Sequence, residues 1–326
     1  MLSALRAARI KPPALQTGDT VGIVAPASDV NRAQLAAGCD TLRSLGYKPF
    51  YFDSIFDRDL YFAGSVERRA RELEEMFVRD EVRAILCARG GYGSNYLLEA
   101  LDLGKIKAHP KIFVGYSDLT TLLTYFADSA GFVTFHGPMV AKDFARAGGL
   151  DLVSWERALN GLSEWDLELD SEVLPLVDGS AEGILYGGCL SILVASLATL
   201  HEIQTAGTIL FIEDVATKPY QIDRMLMQLK RAGKLADVEG IIFGQMVDCI
   251  QSKDQGYTLE EVVLRVVGDL GVPVAYGLRT GHVSRGNITL PIGVRTSLNV
   301  GGARVELKIL EAATATPVSP RSAGRE

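Results

Sequence analysis

The sequence predicts an α/β protein in which an N-terminal domain with a doubly wound parallel sheet precedes a C-terminal domain of mixed β-sheet and helices. The chain has 326 residues, enough for about two domains. Buried strand patterns alternate with helical patterns four times in the first half, and a second block of strands and helices begins after about residue 180. Ligands of such sheets bind beyond the carboxyl ends of the strands, so we expect the active site in the cleft between the domains.

The elements of the first block follow from apolar spacing and from capping residues. Short β-branched runs bounded by glycine or proline predict strands, and apolar positions at helical spacing predict helices, the first of which ends at Gly46, a C-cap signal. The predicted strands cover residues 21–25, 48–52, 82–88 and 112–116. The predicted helices cover residues 31–45, 66–77, 95–101 and 119–130.

The second block is less regular. Residues from about 150 to 180 are predicted to connect the domains, and Asp178-Gly179-Ser180 is a turn signal. The predicted helices cover residues 190–200, 220–231 and 259–270, and the predicted strands cover 208–212, 238–243, 287–291 and 304–310, the last two as an antiparallel pair. The expected boundaries are therefore 1–165 for the first domain, 166–312 for the second and 313–326 for a tail of disordered composition.

Composition excludes several classes of function. The net charge is −7 and no lysine- or arginine-rich run occurs, so nucleic acid and membranes are not expected partners. The four cysteines are scattered, which predicts a reducing compartment and neither a metal site nor a disulfide framework. Residues 1–13 lack the apolar core of a signal peptide, and no apolar run approaches the ~20 residues needed to span a bilayer. We therefore predict a soluble, cytoplasmic protein without a zinc site.

Ser117 is the candidate nucleophile. It lies between the predicted strand 112–116 and the predicted helix 119–130, on a sharp turn that would expose its hydroxyl. Backbone N–H groups at the start of the helix would point at the group that the hydroxyl attacks. A serine hydroxyl is a weak nucleophile near neutral pH, so the site also needs a base and a group that orients the base.

Four histidines are candidates for the base. His282 lies in a glycine-flanked loop beyond a strand, where it is free to swing toward a cleft, and His136 ends a strand where it could line a pocket. His109 is expected to be exposed and His201 to cap or pack against a helix. Glu213 and Asp214 both follow the predicted strand 208–212, so the residues alone leave the orienting acid open.

These residues lie in segments that resemble the LD-carboxypeptidase family of serine peptidases, which includes muramoyltetrapeptide carboxypeptidases and microcin C self-immunity peptidases. The matching segments run in family order from about residue 12 to 300, and together they are specific. They are GDTVGIVAPAS at 18–28, ARGGYG at 88–93, GYSDLT at 115–120, FHGPM at 135–139, FIEDV at 211–215 with YQIDRML at 220–226, and Gly281-His282 followed by LPIG at 290–293.

The resemblance implies a triad of Ser117 as nucleophile, His282 as base and then acid, and Glu213 as the orienting carboxylate, with Asp214 less favoured. Physics and resemblance together assign the oxyanion hole to the backbone N–H groups of Gly91 and Asp118, because glycine lets the backbone approach closely. The rival interpretation of residues 89–93 is a phosphate cradle, but their spacing fits neither the G-x-G-x-x-G motif nor a P-loop lysine motif.

Two further residues are candidates for binding substrate. Arg89 could bind a terminal carboxylate bidentately or form an ion pair with a nearby acid, and His136 could contact substrate or pack in its turn. One departure from the family pattern stands out, since Cys189 follows Gly187-Gly188 where the family usually has an asparagine that caps the next helix or lines the cleft.

The resemblance implies an enzyme that needs no cofactor and releases terminal D-alanine from murein tetrapeptides in the cytoplasm during wall recycling, through an acyl-enzyme, as a homodimer. The alternative is a self-immunity peptidase that cleaves peptidyl or aminoacyl sulfamoyl-adenylates. That activity would need an aromatic side chain between Ser117 and Glu213 to stack on adenine. Trp155 and Trp165 lie in that segment, although a tryptophan in a linker more often packs in the interior. A non-catalytic ligand-binding module is the remaining hypothesis.

Overall fold

Two β-sheets and the helices on their faces make up the structure. It is a computed structural model and describes residues 9–252 and 254–316. The strands are β1 Thr20–Val24, β2 Lys48–Phe50, β3 Val82–Cys87, β4 Ile112–Gly115, β5 Thr134–His136, β6 Trp165–Asp166, β7 Leu174–Val177, β8 Gly179–Cys189, β9 Thr208–Glu213, β10 Gly240–Gly244, β11 Val274–Leu278, β12 Leu290–Ile292, β13 Arg295–Gly301 and β14 Arg304–Ile309. The α-helices are α1 Arg32–Ser44, α2 Val66–Val78, α3 Leu103–Ala108, α4 Thr120–Tyr125, α5 Leu152–Leu159, α6 Leu190–Ala195, α7 Pro219–Arg231 and α8 Leu259–Val267.

The first sheet has six strands in the order β12-β5-β4-β3-β1-β2. Strands β1 to β5 are parallel, and β12 adds to the edge antiparallel to β5. Buried residues of α2, α3 and α4 form one hydrophobic core on this sheet, and α1 and α5 belong to another. This is the doubly wound arrangement that the alternation of strands and helices predicts.

The second sheet has eight strands in the order β6-β14-β13-β8-β9-β10-β11-β7. Strands β8 to β11 are parallel, and antiparallel strands flank them on both sides. Helices α6, α7 and α8 cover one face with a separate core, whereas the core that contains α1 and α5 also includes buried residues of both sheets. The two sheets therefore share one body of packed side chains.

Most predicted elements are confirmed within a few residues, but the prediction for the region between the two blocks is wrong. Residues 150–180 contain α5, β6, β7 and the start of β8, which are too short or too polar to give a clear periodicity. The predicted antiparallel pairing of 287–291 with 304–310 is also wrong, because β12 joins the first sheet and β14 pairs with β13.

Two helical predictions also need correction. The predicted helix 95–101 is only a 3-10 turn, Ser94–Leu97, and the true helix is α3, which begins after the capping side chain of Asp102. The predicted helix 119–130 starts with a 3-10 turn, Ser117–Leu119, and ends with a π-helical turn, Phe126–Ala130.

The ends of the chain differ in how far the structure describes them. In the predicted disordered tail, Ala313 and Thr314 are buried and Ala315 forms a bridge with Pro13, so these positions are ordered. The remainder of that tail, 317–326, lies outside the described residues, as do residues 1–8. Among the helices that the structure describes, none combines the length and the apolar character of a membrane span.

Candidate active site

Ser117 lies on a strained turn at the carboxyl end of β4. Its φ angle is +65°, a left-handed conformation that costs a residue with a Cβ atom about 1–3 kcal/mol. The neighbouring backbone approaches closely, since a Cβ atom added at Gly90 would lie 2.9 Å from the Ser117 Cβ atom. The hydroxyl is thus held clear of the sheet at the start of a helical segment, as the sequence predicts.

His282 connects Ser117 to Glu213. Its Nε2 atom is 3.0 Å from the Ser117 Oγ atom, and its Nδ1 atom is 2.7 Å from the Glu213 Oε2 atom. The backbone N–H of His282 also donates to Glu213 Oε2, over 3.1 Å. The arrangement is that of a nucleophile, a base and an orienting carboxylate in a chain of hydrogen bonds.

The His282 loop is fixed rather than free to swing. The Asn287 side chain accepts a hydrogen bond from the Gly281 N–H and donates one to the Gly281 carbonyl, at 3.0 and 3.1 Å. Arg279, at the base of the loop, pairs with Asp170 at 2.5 Å. These contacts hold the imidazole ready to accept a proton from Ser117.

Glu213 ends β9 with its side chain buried. Burial opposes ionisation of the carboxyl group, but the hydrogen bonds and the charge of His282 outweigh it and hold the pKa of Glu213 below its usual range. Asp214 has different contacts, because its carboxylate accepts hydrogen bonds from Ser191 and Thr217, both at 2.9 Å. In the structure it is therefore Glu213, and not Asp214, that contacts the histidine.

The predicted oxyanion hole is bounded by two turns that lie against each other. Gly91 has a φ angle of +107°, and a Cβ atom there would lie 2.3 Å from the Ser28 Oγ atom, so the turn requires glycine. The buried Asp118 side chain accepts a hydrogen bond from the Ser94 N–H at 2.8 Å, which ties the start of the nucleophile's helix to the glycine-rich segment. The assignment of these N–H groups to the oxyanion remains a prediction.

A positive region lies beside these turns. Arg89 is exposed and forms no salt bridge within the described part of the chain, although its Nη1 atom donates to the Asp29 carbonyl at 3.2 Å. Lys142, which sequence reasoning missed, lies with its Nζ atom 5.3 Å from the centre of the Tyr116 ring. Desolvation lowers the pKa of Lys142, and among the weaker influences the charge of Arg89 acts in the same direction. Only the fold reveals Lys142, because no motif surrounds it.

The prediction that His136 contacts substrate is contradicted by its burial. Its side chain is fully buried at the end of β5, with the Tyr116 ring 5.9 Å away and the Phe211 ring 4.9 Å away. Burial lowers the pKa of His136 to about 4, partly opposed by the nearby Glu213. The alternative interpretation, a packed histidine, is the one the structure supports.

The other two histidines and the cysteines have no part in the arrangement. His109 is exposed, with its Nδ1 atom 2.9 Å from the Lys105 carbonyl, and His201 packs edge-on against Tyr125. All four cysteines are buried and unpaired. In the ranges that the structure describes, no cluster of histidine, cysteine and carboxylate side chains could hold a metal ion.

A pocket of about 450 Å³ borders the helix that follows Ser117. Asp118 and Thr120 line it on one side and Tyr92 and Tyr96 on another, with α6 opposite. No lysine or arginine is among its lining residues, whereas hydroxyl groups are numerous. Such a lining suits a neutral or cationic polar ligand better than an anion.

Comparisons with known proteins show which family the chain resembles. Models of the LD-carboxypeptidase N-terminal domain and the LD-carboxypeptidase C-terminal domain match residues 21–137 and 182–298. The chain is 40% identical over 315 residues to a probable murein peptide carboxypeptidase of Bacillus subtilis, with 94% of this chain and 97% of the relative covered. It is 28% identical over 328 residues to the microcin C7 self-immunity protein MccF of Escherichia coli, with 90% and 94% covered.

A solved structure is similar over nearly the whole chain. The crystal structure of muramoyltetrapeptide carboxypeptidase from Oxalobacter formigenes superposes with a TM-score of 0.81 at 30% identity and covers 92% of this chain and 100% of the other. The predicted fold class is therefore confirmed.

Proposed function

The chain belongs to the LD-carboxypeptidase family and is a serine-type LD-carboxypeptidase, and we propose that it releases the terminal D-alanine of murein tetrapeptides through Ser117, His282 and Glu213. The observation that carries the assignment of the triad is the unbroken chain of contacts from Ser117 Oγ to His282 and from His282 to Glu213, at 3.0 and 2.7 Å. The murein substrate is supported by the relatives from Bacillus subtilis and Oxalobacter formigenes, whose names state that class of substrate.

In the first half of the reaction, the Ser117 oxygen attacks the carbonyl carbon before D-alanine. His282 Nε2 takes the hydroxyl proton, and Glu213 stabilises the resulting imidazolium through Nδ1. The negative charge that develops on the carbonyl oxygen is met by the N–H groups of Gly91 and Asp118, each contributing about 2.7–4 kcal/mol. The carbon–nitrogen bond then breaks, His282 returns its proton to the departing amine, and the peptide remains as an ester on Ser117.

In the second half, water replaces the amine. His282 takes a proton from the water, whose oxygen attacks the ester carbonyl, and then returns that proton to Ser117 Oγ as the ester bond breaks. The products are a tripeptide with a new carboxyl group and the restored enzyme. Every proton in this scheme passes through His282 Nε2, so the reaction depends on the tautomer that Glu213 fixes.

The positive region formed by Arg89 and Lys142 suits the terminal carboxylate of the substrate. The Arg89 side chain lies beside the turn of Gly91, and Lys142 lies near the ring of Tyr116, the residue before Ser117. Two cations on this side of the nucleophile would favour a peptide whose terminal carboxylate approaches from there. The proposal includes a role in cytoplasmic wall recycling and a homodimeric assembly, which subcellular fractionation and sedimentation of the purified protein would test.

The decisive measurement is D-alanine release from a panel of tetrapeptides that differ at the third and fourth positions, followed by mass spectrometry. We expect release by the wild type, and a loss of at least about 1000-fold for Ser117→Ala, which keeps the fold but lacks the nucleophile. Ser44→Ala, at an exposed helix end, is the matched control and should retain full activity. Retained activity of Ser117→Ala would refute the mechanism.

A second candidate function is suggested by the 28% identity to a microcin C7 self-immunity protein. Cleavage of an acyl sulfamoyl-adenylate would use the same triad but needs an aromatic platform for adenine. Trp155 and Trp165, the chain's two tryptophans, are both buried in the core, which argues against that platform. Direct comparison of the rates on a tetrapeptide and on an acyl-sulfamoyl-adenosine decides between the two, and faster cleavage of the nucleoside would favour self-immunity.

A further inference from the structure

One of the two carboxylate oxygens of Glu213 has no hydrogen-bond partner in the proposed triad. The Oε2 atom accepts both hydrogen bonds from His282, whereas the Oε1 atom is buried and has no hydrogen-bond partner among the described residues. An ionised carboxylate out of contact with water loses much stabilisation if one of its oxygens accepts no hydrogen bond. A group that stabilises this charge is therefore expected next to Glu213.

His136 also has buried polar atoms without hydrogen-bond partners. Both ring nitrogens are buried and have no hydrogen-bond partner within the described residues. A neutral imidazole always carries one N–H donor, so a donor without an acceptor lies in the same buried region as an acceptor without a donor. The ring is held by strand pairing, because His136 lies opposite Gly115 of β4 and Leu290 of β12.

Gly281 shows that the two groups adjoin. A Cβ atom built at this position would lie 2.7 Å from Glu213 Oε2 and 2.9 Å from His136 Nε2. Position 281 thus has no room for a side chain, and the carboxylate and the imidazole converge on the same point. Although the structure has no hydrogen bond between the two groups, we infer that His136, as a neutral imidazole with its proton on Nε2, directs this N–H at the Glu213 carboxylate and is a second, positioning histidine of the active site.

This role rests on the proposed triad and extends it. His136 does not touch the reacting atoms; it would act by holding the Glu213 carboxylate ionised and oriented toward His282. The groups that face the His136 ring are Glu213 from β9, His282 from the loop after β11, and Tyr116 from the turn after β4. Without the His136 donor the buried carboxylate is less stable as an anion, so Glu213 would take up its proton at a higher pH.

The test compares two substitutions that separate packing from hydrogen bonding. His136→Phe keeps an aromatic ring against Tyr116 and Phe211 but has no donor, whereas His136→Gln places an amide N–H near the former Nε2 position. We expect His136→Phe to lower kcat for D-alanine release about 10- to 100-fold with little change in KM, and to move the acid limb of the kcat/KM profile to higher pH. His136→Gln should restore a large part of both, and His109→Gln is the matched control that should change neither.

A second readout keeps this inference separate from the identity of the substrate. The rate at which a fluorophosphonate labels Ser117 reports activation of the nucleophile without any peptide, and it should fall for His136→Phe and recover for His136→Gln. If the wild type releases no D-alanine but labels rapidly, the proposed substrate fails and the labelling rates still test His136. Wild-type labelling and a wild-type pH profile in His136→Phe would overturn the inference, as would equal losses in the Phe and Gln variants of unchanged thermal stability.

Discussion

At the scale of single residues, the site combines strain with burial. Ser117 has a backbone conformation that glycine would adopt more easily, and Glu213 has a charged group away from water. Neither feature favours folding by itself, and both place a reactive group where the proposed reaction needs it. The residue scale is therefore where stability and activity should oppose each other most directly.

The strain at Ser117 predicts a difference between two inactive variants. Ser117→Ala and Ser117→Gly both lack the hydroxyl, but only glycine is relaxed at a φ angle of +65°. We expect Ser117→Gly to be about 1 kcal/mol more stable than Ser117→Ala, as measured by urea denaturation. Equal or lower stability of the glycine variant would show that the turn stores no strain.

Removal of either Arg89 or Lys142 should impair substrate binding. Arg89→Ala and Lys142→Met should each weaken recognition of the terminal carboxylate and raise KM about tenfold, with smaller effects on kcat, because hydrogen bonds to charged groups contribute about 1.5–3 kcal/mol. Amidation of the substrate's terminal carboxyl group should abolish the difference between each variant and the wild type. A defect that persists on the amidated peptide would assign these cations to another role.

At the scale of elements, the bounds of helices with clear periodicity and capping residues were predicted accurately. The very short strands β6 and β12, which have no periodicity, were not predicted correctly. Helix α1 begins after the capping side chain of Asn31, and α7 begins with Pro219, so both were predicted to within two residues. The strand β12 has three residues and no alternation, and its pairing with β5 depends on tertiary contacts that no local pattern records. The same holds for β6, with two residues.

The start of helix α6 predicts that the stability effects of substitutions at Cys189 and Asp214 depend on each other. Its N-cap is Cys189, which forms no side-chain capping bond, and Asp214 instead accepts from the Ser191 N–H at 2.9 Å. Asp214→Ala should therefore destabilise the protein by about 1–2 kcal/mol, and Cys189→Ser, which is nearly isosteric, should recover about 1 kcal/mol in that background. In the wild type Cys189→Ser should gain less, because the Ser191 N–H already has a partner. Urea denaturation of the four proteins measures this, and equal effects of Cys189→Ser in both backgrounds would contradict it.

At the scale of the whole molecule, only the site residues that lie within sequence motifs could be predicted. Ser117, Glu213 and His282 lie in sequence segments with recognisable turns, and the structure brings them into contact. Lys142 lies in no such segment, and the burial of His136 follows from the packing of β5 between β4 and β12. Residues that act through their neighbours leave little trace in local sequence, because their position is set by contacts between distant parts of the chain.

The same long-range contacts predict how the molecule unfolds. Strand β12, from the second half of the sequence, completes the first sheet beside β5, and one core includes Phe135 of the first sheet and Phe211 of the second. Neither half can lose its structure without exposing apolar surface of the other, so the boundary predicted at residue 165 should not separate two independent folding units. We expect a single calorimetric transition whose van't Hoff enthalpy is close to the calorimetric value. A fragment of residues 1–165 should not fold cooperatively unless residues 286–296 are joined to its end by a flexible linker. Two resolved transitions in the full chain, or a stable fragment that lacks residues 286–296, would contradict this prediction. Either result would show that the first half folds without β12 and that the halves fold independently.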